Sequence, residues 1–559
     1  MRSLTQLGTL KLQNIVASVL FSLVFSSFTA FGFTSKIVNE EGCSRVELLL
    51  CFIMLFLVCI PVSYFLISIV SRISADRFFL TKIPCFIKKW GALFAFTVLL
   101  WGVFWLLFYP GYFSPDSMDS FFQALGAKEL KNHHPLVFTA LVMPFAWFGN
   151  AVGNIEVGMA LFSLLTMLFL AAVSSYIATW IRVRTGSNKL FVFCIIFLVA
   201  NPLVIEYSHA GLKDVWFAGF VAMFALSIVN FLLSRNKRNV LLIQIGLFGL
   251  LVCLFRGNGV FLVFPTLLAM AIFVKPRRLY IVTTLIACIV GYFLITGSVY
   301  SFFNAKSAGF EETVGVPLQQ ISRTLVDNGT VSKENEAFLE ELFDVTEIKE
   351  AYDPYLVDPV KWSEGFDSAF LGENKFQFFY VWGQILLDNP KSYLIAWRDA
   401  TLGYWFVGIN DDICTGAGYE WLPAFDQYSE KIAFPQDRHQ NGNTLFYDTV
   451  SIEQYNSVID DLRSIPILNV CFNLAVPSWL FVFLGIIFLA QKRRESFVAI
   501  LPFLMLFFTM LIAAPTYYAW RYMLASYLLI PFALALLFYR MPNESNGTKR
   551  ISYSKPKTD

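Results

Sequence analysis

The sequence predicts an all-α polytopic membrane protein whose main body is a bundle of about twelve transmembrane helices. Of its 559 residues, 57% are hydrophobic and 15% are charged, whereas a soluble domain is about half apolar and about a quarter charged. The apolar residues form runs long enough to cross a bilayer, and the basic residues are concentrated in short segments between some of these runs. These observations favour an integral membrane protein and give no sign of a nucleic-acid partner.

A transmembrane helix needs about 20 apolar residues to cross about 30 Å of hydrocarbon. The first apolar run is too long for a signal peptide and has no small-residue cleavage site, so we count it as a span. The predicted spans are residues 12–34, 46–70, 91–109, 155–181, 190–208, 214–233, 239–255, 258–274, 279–298, 467–490, 496–514 and 519–540.

Basic residues in short loops mark the cytoplasmic side of a membrane protein. Twelve spans place five basic clusters on one side, which predicts that both termini are cytoplasmic. The clusters are Arg72, Arg77, Lys82, Lys88 and Lys89; Arg182, Arg184 and Lys189; Arg235, Lys237 and Arg238; Lys275, Arg277 and Arg278; and Lys492, Arg493 and Arg494.

The apolar segment 135–149 is predicted not to cross the membrane. It is only 15 residues long and contains Pro144, which favours a helix lying in the outer membrane interface. If it crossed, the cluster at Arg182 and every later basic cluster would lie outside.

These assignments divide the chain into five parts. Residues 1–90 hold two N-terminal spans, which could be an added module. The other parts are a core (91–298) with a first outer loop (110–154), a long extracytoplasmic loop domain (299–466), three C-terminal spans (467–540) and a polar cytoplasmic tail (541–559).

Polar residues gather on the predicted outer side, at the ends of spans. Charged groups near hydrocarbon usually face a cavity, a partner or the lipid headgroups. The set is Asp116, Asp119, His133, His134, Glu206, His209, Lys213, Asp214, Arg256, Arg323 and Arg521.

Each of these residues also has a purely structural interpretation. Asp116 in SPDS could be a solvated turn residue, and Asp119 could stabilise the first turn of a helix. The two adjacent histidines could anchor the headgroup layer, and Lys213 could form a salt bridge with Asp214. Arg256 and Arg521 could keep their apolar stems near the hydrocarbon while their charged ends reach the aqueous surface.

Together the residues could bind and transfer a phosphate-linked group. Lys213, Arg256, Arg521 and Arg323 could bind a lipid phosphate or diphosphate. Asp116 or Asp119 could act as a general base on an acceptor hydroxyl or amine. The residues left to position these groups are His133, His134, His209 and Asp214.

A metal site is not assigned. Aspartates with histidines could hold a divalent cation such as Mg or Mn, but His133 and His134 are distant from Asp116 in the sequence. The nine cysteines are scattered and form no CxxC pair, so neither a zinc site nor a disulfide framework is predicted.

At these residues the sequence resembles the GT-C superfamily of membrane glycosyltransferases, and within it a bacterial branch with the same layout. The resemblance covers most of residues 90–300 and 495–535. The matching segments are YPGYFSPDSMDSFFQA, HHPLVFTAL, AGLKDVWFAG, FRGNG, GVPLQQISR and AWRYMLASYLLIP.

The resemblance implies a polyprenyl-phosphate-linked sugar as donor and a bundle with outer juxtamembrane helices. It implies that Asp116 is the essential acidic residue of the first outer loop, that Lys213-Asp214 form a second motif, and that Arg256 and Arg521 contact the donor phosphate. Many members carry two adjacent acidic residues in the first loop, whereas here Ser117 follows Asp116. Which carboxylate is the base therefore stays open.

The resulting expectation is an inverting glycosyltransferase of the cell membrane with an extracytoplasmic active site. Its partners would be a lipid-linked sugar donor, membrane lipids and a cell-envelope acceptor, which could be a glycan, a lipid or a protein. The alternatives are a polysaccharide polymerase or ligase, and a transporter or flippase of a charged or lipid-linked substrate.

Overall fold

The computed structural model describes residues 2–73, 76–78, 83–234, 238–275, 277–409, 449–514, 516–541 and 544. Residues 410–448 of the predicted loop domain lie outside this part. So do the basic residues Lys82, Arg235 and Lys237 and, apart from Met541 and Glu544, the predicted cytoplasmic tail.

The described chain is all-α, which confirms the predicted fold class. The first thirteen helices are α1 (Arg2–Gly32), α2 (Arg45–Ile73), α3 (Ile83–Leu107), α4 (Pro115–Ala124), α5 (Leu136–Ala151), α6 (Ile155–Thr185), α7 (Asn188–Cys194), α8 (Pro202–Ser208), α9 (Lys213–Leu233), α10 (Arg238–Phe255), α11 (Gly259–Phe273), α12 (Arg278–Phe293) and α13 (Tyr300–Phe302).

The remaining helices are α14 (Gly315–Val326), α15 (Lys333–Leu342), α16 (Val345–Ala351), α17 (Asp358–Lys361), α18 (Ser368–Glu373), α19 (Lys375–Asp388), α20 (Pro390–Thr401), α21 (Thr449–Ser464), α22 (Pro466–Asn469), α23 (Ala475–Ala490), α24 (Arg494–Ala513), α25 (Trp520–Leu528) and α26 (Ile530–Phe538). The strands within the described residues are β1 (Asp76–Arg77) and β2 (Tyr539–Arg540), which pair in parallel.

Eight helical stretches of the described chain are long and apolar enough to cross a membrane, which supports the membrane class. They are Lys11–Gly32, Arg45–Val70, Phe86–Leu107, Ile155–Thr185, Lys213–Leu233, Arg278–Phe302, Arg494–Ala513 and Trp520–Phe538.

Four other predicted spans fall on shorter or broken helices, so the count of twelve stays a prediction. The pair Asn188–Val199 and Pro202–Ser208 is bent by 52° and could make a ninth span. Helices Asn239–Phe255, Gly259–Phe273 and Ala475–Ala490 are apolar but have no more than 17 residues. Segment 135–149 forms the short apolar helix α5, which packs between α4 and α6.

The break between α7 and α8 is supported by side chains from distant helices. A helix break frees backbone carbonyl groups, and these need donors in an apolar environment. The Trp101 indole donates to the Val199 carbonyl at 2.8 Å, and the Tyr455 hydroxyl donates to the Pro202 carbonyl at 3.0 Å. The Asn201 amide donates to the Tyr527 hydroxyl at 2.7 Å. These bonds fix the direction of α8, which leads into the turn 209–213.

The basic residues of several predicted cytoplasmic loops lie near one another at one end of the bundle. Phe78 beside β1 contacts Trp180, near the end of α6, with ring centroids 5.6 Å apart, and Tyr539 of β2 at 5.5 Å. The guanidinium of Arg494, at the start of α24, lies 6.0 Å from the ring centre of Phe273, at the end of α11. The ends of α6 and α26 therefore meet near β1, and the start of α24 lies beside the end of α11.

The described part of the predicted loop domain has its own hydrophobic cluster. Apolar side chains from α14 to α20 form a cluster separate from that of the helical bundle. Within it, Leu318, Ile321 and Phe378 are completely buried. At the bundle, the Trp397 indole of α20 donates to the Leu511 carbonyl near the end of α24 at 2.7 Å. The cluster therefore lies against the end of the bundle where α24 finishes.

Candidate functional site

The first outer loop is bound through its backbone to the turn between α8 and α9. The Tyr112 amide donates to the His209 carbonyl at 3.2 Å, and the Gly211 amide donates to the Tyr112 carbonyl at 2.8 Å. Gly111 has a φ of +110°, and a Cβ there would lie 2.7 Å from the His209 carbonyl oxygen, so this approach requires glycine. The contact brings Asp116 within reach of Lys213.

Asp116 lies in the first turn of α4. The helix begins after Ser114, whose hydroxyl accepts a hydrogen bond from the Ser117 amide at 3.4 Å, and Pro115 occupies the first helical position. These are ordinary helix-starting residues. The positive end of the helix dipole therefore favours a carboxylate at Asp116.

One oxygen of Asp116 contacts two cations from distant parts of the chain. Its Oδ2 lies 3.0 Å from Nη1 of Arg521 and 3.5 Å from Nζ of Lys213. Its Oδ1 has no hydrogen-bond partner among the residues that the structure describes. The side chains remain partly accessible: Asp116 is 31% exposed, Arg521 is 26% exposed and Lys213 is 15% exposed. This cluster is therefore open to a small ligand.

The two cations keep Asp116 ionised. Burial raises the pKa of the Asp116 carboxyl, but Lys213 and Arg521 outweigh burial, and the pKa lies well below its usual range. An aspartate paired in this way is an anion at neutral pH and a weak base.

His134 holds Lys213 in place. The Lys213 ammonium donates to Nδ1 of His134 at 2.8 Å, so the imidazole must be neutral to accept this bond. The ring is buried, and burial together with the positive charge of Lys213 lowers the pKa of His134. Its Nε2 lies 3.9 Å from Oδ2 of Asp119, which is too long for a hydrogen bond.

This neutral histidine predicts an acid-sensitive fold. The pKa of His134 is lowered from 6.5 to about 2, so below pH 6.5 the unfolded chain binds a proton that the folded chain does not bind. The folded state therefore loses stability as the pH falls from about 6.5 toward about 2. We expect His134→Gln to make this decrease in the apparent melting midpoint shallower than in the wild type. Equal slopes for the two proteins would contradict the assignment.

Both carboxylate oxygens of Asp119 accept hydrogen bonds from nearby residues of the same loop. Its Oδ1 accepts from the Lys128 ammonium at 2.6 Å, and its Oδ2 accepts from the Gln123 amide at 2.6 Å. Gln123 in turn accepts from the Lys131 amide at 3.2 Å. Both oxygens therefore hold the shape of the loop after α4, which distinguishes Asp119 from Asp116.

A second ion pair lies beside the first, deeper in the protein. Nη1 of Arg256 lies 3.0 Å from Oδ1 of Asp214, whose side chain is completely buried. The Arg256 guanidinium lies over Tyr522, 4.3 Å from the ring centre, and 5.5 Å from the ring centre of Phe217. Asp214 therefore neutralises Arg256, and the aromatic rings fix the orientation of its guanidinium.

Tyr522 is a site residue that the sequence interpretation missed. It contacts two guanidinium groups, because Arg521 also donates to its hydroxyl at 3.1 Å and lies 5.0 Å from its ring centre. The sequence could have indicated Tyr522, because it directly follows Arg521 at the predicted outer end of a span.

The two remaining predicted histidines lie beside this cluster. Nδ1 of His133 lies 3.6 Å from Oε1 of Glu312, and Glu312 also binds Lys361 at 2.8 Å. His133 therefore faces the loop domain. His209 is buried and stacks on Phe108, with ring centroids 4.4 Å apart, and its backbone carbonyl holds Tyr112.

Arg323 and Glu206 differ from the other predicted residues. Nε of Arg323 donates to both oxygens of Asp327, at 2.9 and 3.0 Å, within α14 and the residue after it. The structure therefore does not bring Arg323 to Asp116. Glu206 is buried in α8.

The residues around Asp116 do not fit a divalent cation. No group of three histidine, cysteine, aspartate or glutamate side chains that could hold a metal ion occurs within the described residues. Asp116 and Asp119 each lie beside a lysine or arginine, whose charge would repel a metal ion.

Residues 125–552 match the model of a protein family described as "Family of unknown function (DUF6020)". The chain belongs to this family. The matched region includes His134, Lys213, Arg256 and Arg521, and it begins after Asp116. No curated protein and no solved structure matches the chain.

Proposed function

We propose that the protein is an integral membrane glycosyltransferase that moves a sugar from a polyprenyl-phosphate-linked donor to an acceptor on the extracytoplasmic face. The observation that carries the proposal is the meeting of Asp116 with Lys213 and Arg521 at one end of the helical bundle. These residues are separated by 97 and 405 positions in the chain. A shared ligand explains why three charged groups gather there, close to the expected lipid headgroups.

In this proposal the cations bind the phosphate of the donor. Arg521 and Lys213 point at one position and are partly exposed, so both can reach a phosphate oxygen. Arg256 contacts the same Tyr522 ring as Arg521. When the bond from the sugar to the phosphate breaks, these cations stabilise the negative charge of the leaving phosphate and so lower the barrier.

The acceptor is activated by Asp116. Its carboxylate takes the proton of an acceptor hydroxyl or amine, while the acceptor atom attacks the anomeric carbon from the side opposite to the phosphate. A single displacement of this kind inverts the configuration at that carbon. Asp119 is less suited to this role because Lys128 and Gln123 occupy both of its oxygens.

The outer position of the site is part of the proposal. Arg494 begins α24, whereas Arg521 lies beyond the other end of this helix. Because basic loops mark the cytoplasmic side, the loop at Arg494 is assigned to that side and Arg521 to the opposite side. The membrane-crossing helices supply the apolar environment in which a polyprenyl chain can dissolve.

A transporter or flippase is the second candidate, because the bent helix pair between residues 188 and 208 resembles the broken helices of transporters. However, the charged cluster lies at one end of the bundle, whereas transporters bind their substrates near the middle of the bilayer. A polysaccharide polymerase or ligase would use the same chemistry with a lipid-linked glycan as acceptor.

The proposal can be tested with the purified full chain in lipid nanodiscs. The assay combines sugar-labelled polyprenyl-phosphate donors with an extract of bacterial cell envelope and follows transfer of the label from the donor lipid. We expect transfer that depends on Asp116, with loss of activity in Asp116→Asn and normal activity in Lys306→Gln, a variant of an exposed loop lysine. Movement of the intact donor across a liposome membrane, without transfer of its sugar, would instead establish the transporter.

A further inference from the structure

Asp116 occupies the point on which the two cations of the candidate phosphate site converge. Arg521 and Lys213 both contact Oδ2, and Oδ1 makes no hydrogen bond to a described residue. A phosphate oxygen bound by the same cations would need this position. The carboxylate and the phosphate therefore compete for Arg521 and Lys213.

The cations are fixed more firmly than the carboxylate. Arg521 lies in the first turn of α25 and donates to the Tyr522 hydroxyl at 3.1 Å. Lys213 begins α9 and donates to the buried His134 at 2.8 Å. Asp116, in contrast, lies on the ten-residue helix α4 and is 31% exposed. In a competition for the cations, the side chain of Asp116 is the group that moves.

The charge balance favours this exchange. Arg521 and Lys213 contribute two positive charges and Asp116 one negative charge, while Arg256 is neutralised by Asp214 and His134 is neutral. These six residues therefore carry one net positive charge. The phosphodiester of a polyprenyl-phosphate-linked sugar carries one negative charge and two non-bridging acceptor oxygens, so it can replace the carboxylate on both cations.

We propose that Asp116 is the internal counter-ion of the phosphate site and that the donor phosphate displaces it from Arg521 and Lys213, which frees the carboxylate to act as the base. This inference rests on the proposed function, which supplies the identity of the anion.

The exchange resolves a conflict in the chemistry of Asp116. A carboxylate held by two cations is a poor base, because the cations stabilise its ionised form. Once the phosphate binds Arg521 and Lys213 in place of Asp116, the proton affinity of the carboxylate rises.

The proton of the acceptor then moves to Asp116, and the acceptor atom forms a bond to the anomeric carbon. The sugar–phosphate bond breaks, and its electron pair stays on the phosphate oxygen beside Arg521 and Lys213. Proton transfer is thereby coupled to occupation of the donor site.

The inference predicts that loss of Asp116 affects phosphate binding and catalysis in opposite directions. Farnesyl phosphate is a suitable probe, because it contains the phosphate and an isoprenoid chain but no sugar. Its dissociation constant is measured by titration of the full chain in nanodiscs. We expect Asp116→Asn to bind the probe more tightly than the wild type by about tenfold, since the competing charged interaction is lost. Arg521→Gln should bind it more weakly by a similar factor.

Two controls make the result specific. Asp119→Asn also removes a carboxylate of α4, but Asp119 binds Lys128 and Gln123, so this variant should not bind the probe more tightly. Asp116→Ala is measured beside Asp116→Asn in case one of them does not fold, and the melting midpoint of each variant reports folding.

The outcomes separate this inference from the proposed function. Weaker binding in Arg521→Gln with unchanged or weaker binding in both Asp116 variants would overturn the counter-ion role while leaving the phosphate site intact. Unchanged binding in both Arg521→Gln and Lys213→Gln would overturn the phosphate site itself and the inference with it. Tighter binding in the Asp116 variants, together with weaker binding in Arg521→Gln, supports both.

Discussion

Arg521→Gln is expected to reduce sugar transfer by a factor of about a hundred or more, since one donor to a developing oxyanion contributes roughly that much. Arg521 is the shortest contact of Asp116 to a cation, at 3.0 Å, and glutamine removes the charge while keeping a hydrogen-bond donor. The measurement is the initial rate of label transfer from a polyprenyl-phosphate-linked sugar by the purified chain in nanodiscs.

Two further variants sharpen this prediction. Arg521→Lys keeps the charge but loses the planar donor group and its bond to the Tyr522 hydroxyl, so it should recover only part of the activity. Lys306→Gln changes an exposed lysine that pairs with Glu129 and should transfer at the rate of the wild type. An active Arg521→Gln variant would show that this arginine does not bind the reacting phosphate.

The second large effect is expected on stability. Asp214→Asn leaves the Arg256 guanidinium without its counter-ion in a buried environment, where Asp214 is completely buried and Arg256 is 13% exposed. Removing one partner of a buried pair costs about 3–5 kcal/mol. We therefore expect a clear decrease in the melting midpoint of the protein in detergent.

A double variant and an exposed pair serve as controls. Asp214→Asn combined with Arg256→Gln removes both charges, so it should be less destabilised than the sum of the two single variants. Glu129→Gln breaks the pair with Lys306, in which the side chains are 74% and 65% exposed, and should leave the midpoint nearly unchanged. A melting midpoint of Asp214→Asn equal to that of the wild type would show that the pair contributes no stability.

Much of the candidate cluster could be predicted from the positions of polar residues at the ends of apolar runs. The predicted spans place Asp116, Lys213 and Arg521 on one side of the membrane, and the structure brings these three together. Helix ends are predictable because apolar length and basic loops both constrain them. The same constraints predicted that segment 135–149 is a helix in the outer membrane interface. The structure shows α5 as a short apolar helix containing Pro144, and its position in the membrane stays a prediction.

The partners of individual side chains were less predictable. Asp116 and Asp119 lie on one short helix, and their roles separate only because the chain folds back to bring Lys128 to Asp119. Arg323 was grouped with the other cations, although Asp327 four residues later is an ordinary helical partner for it. Non-local packing decides contacts such as Tyr522 with Arg256, and a single sequence does not contain that information.

The span count was also only partly predictable. Three predicted spans fall on helices of no more than 17 residues. The predicted spans 239–255 and 258–274 match their helices closely, whereas 467–490 was predicted too long because residues before Ala475 extend the apolar run. The break between α7 and α8 was not predicted, although Asn201 and Pro202 are ordinary helix-starting residues.

The separation of Asp116 and Arg521 along the chain has a consequence for biosynthesis. A membrane protein is made from its N-terminus, so Asp116, Lys213 and the loop domain are synthesised before Arg521. The Tyr517 amide, just before α25, donates to the Tyr355 carbonyl of the predicted loop domain at 2.9 Å, so the segment that leads into α25 binds to a part of the chain that is made earlier. The cluster of Asp116, Lys213 and Arg521 can form only after Arg521 has been synthesised, and a chain terminated before Arg521 would contain no assembled site.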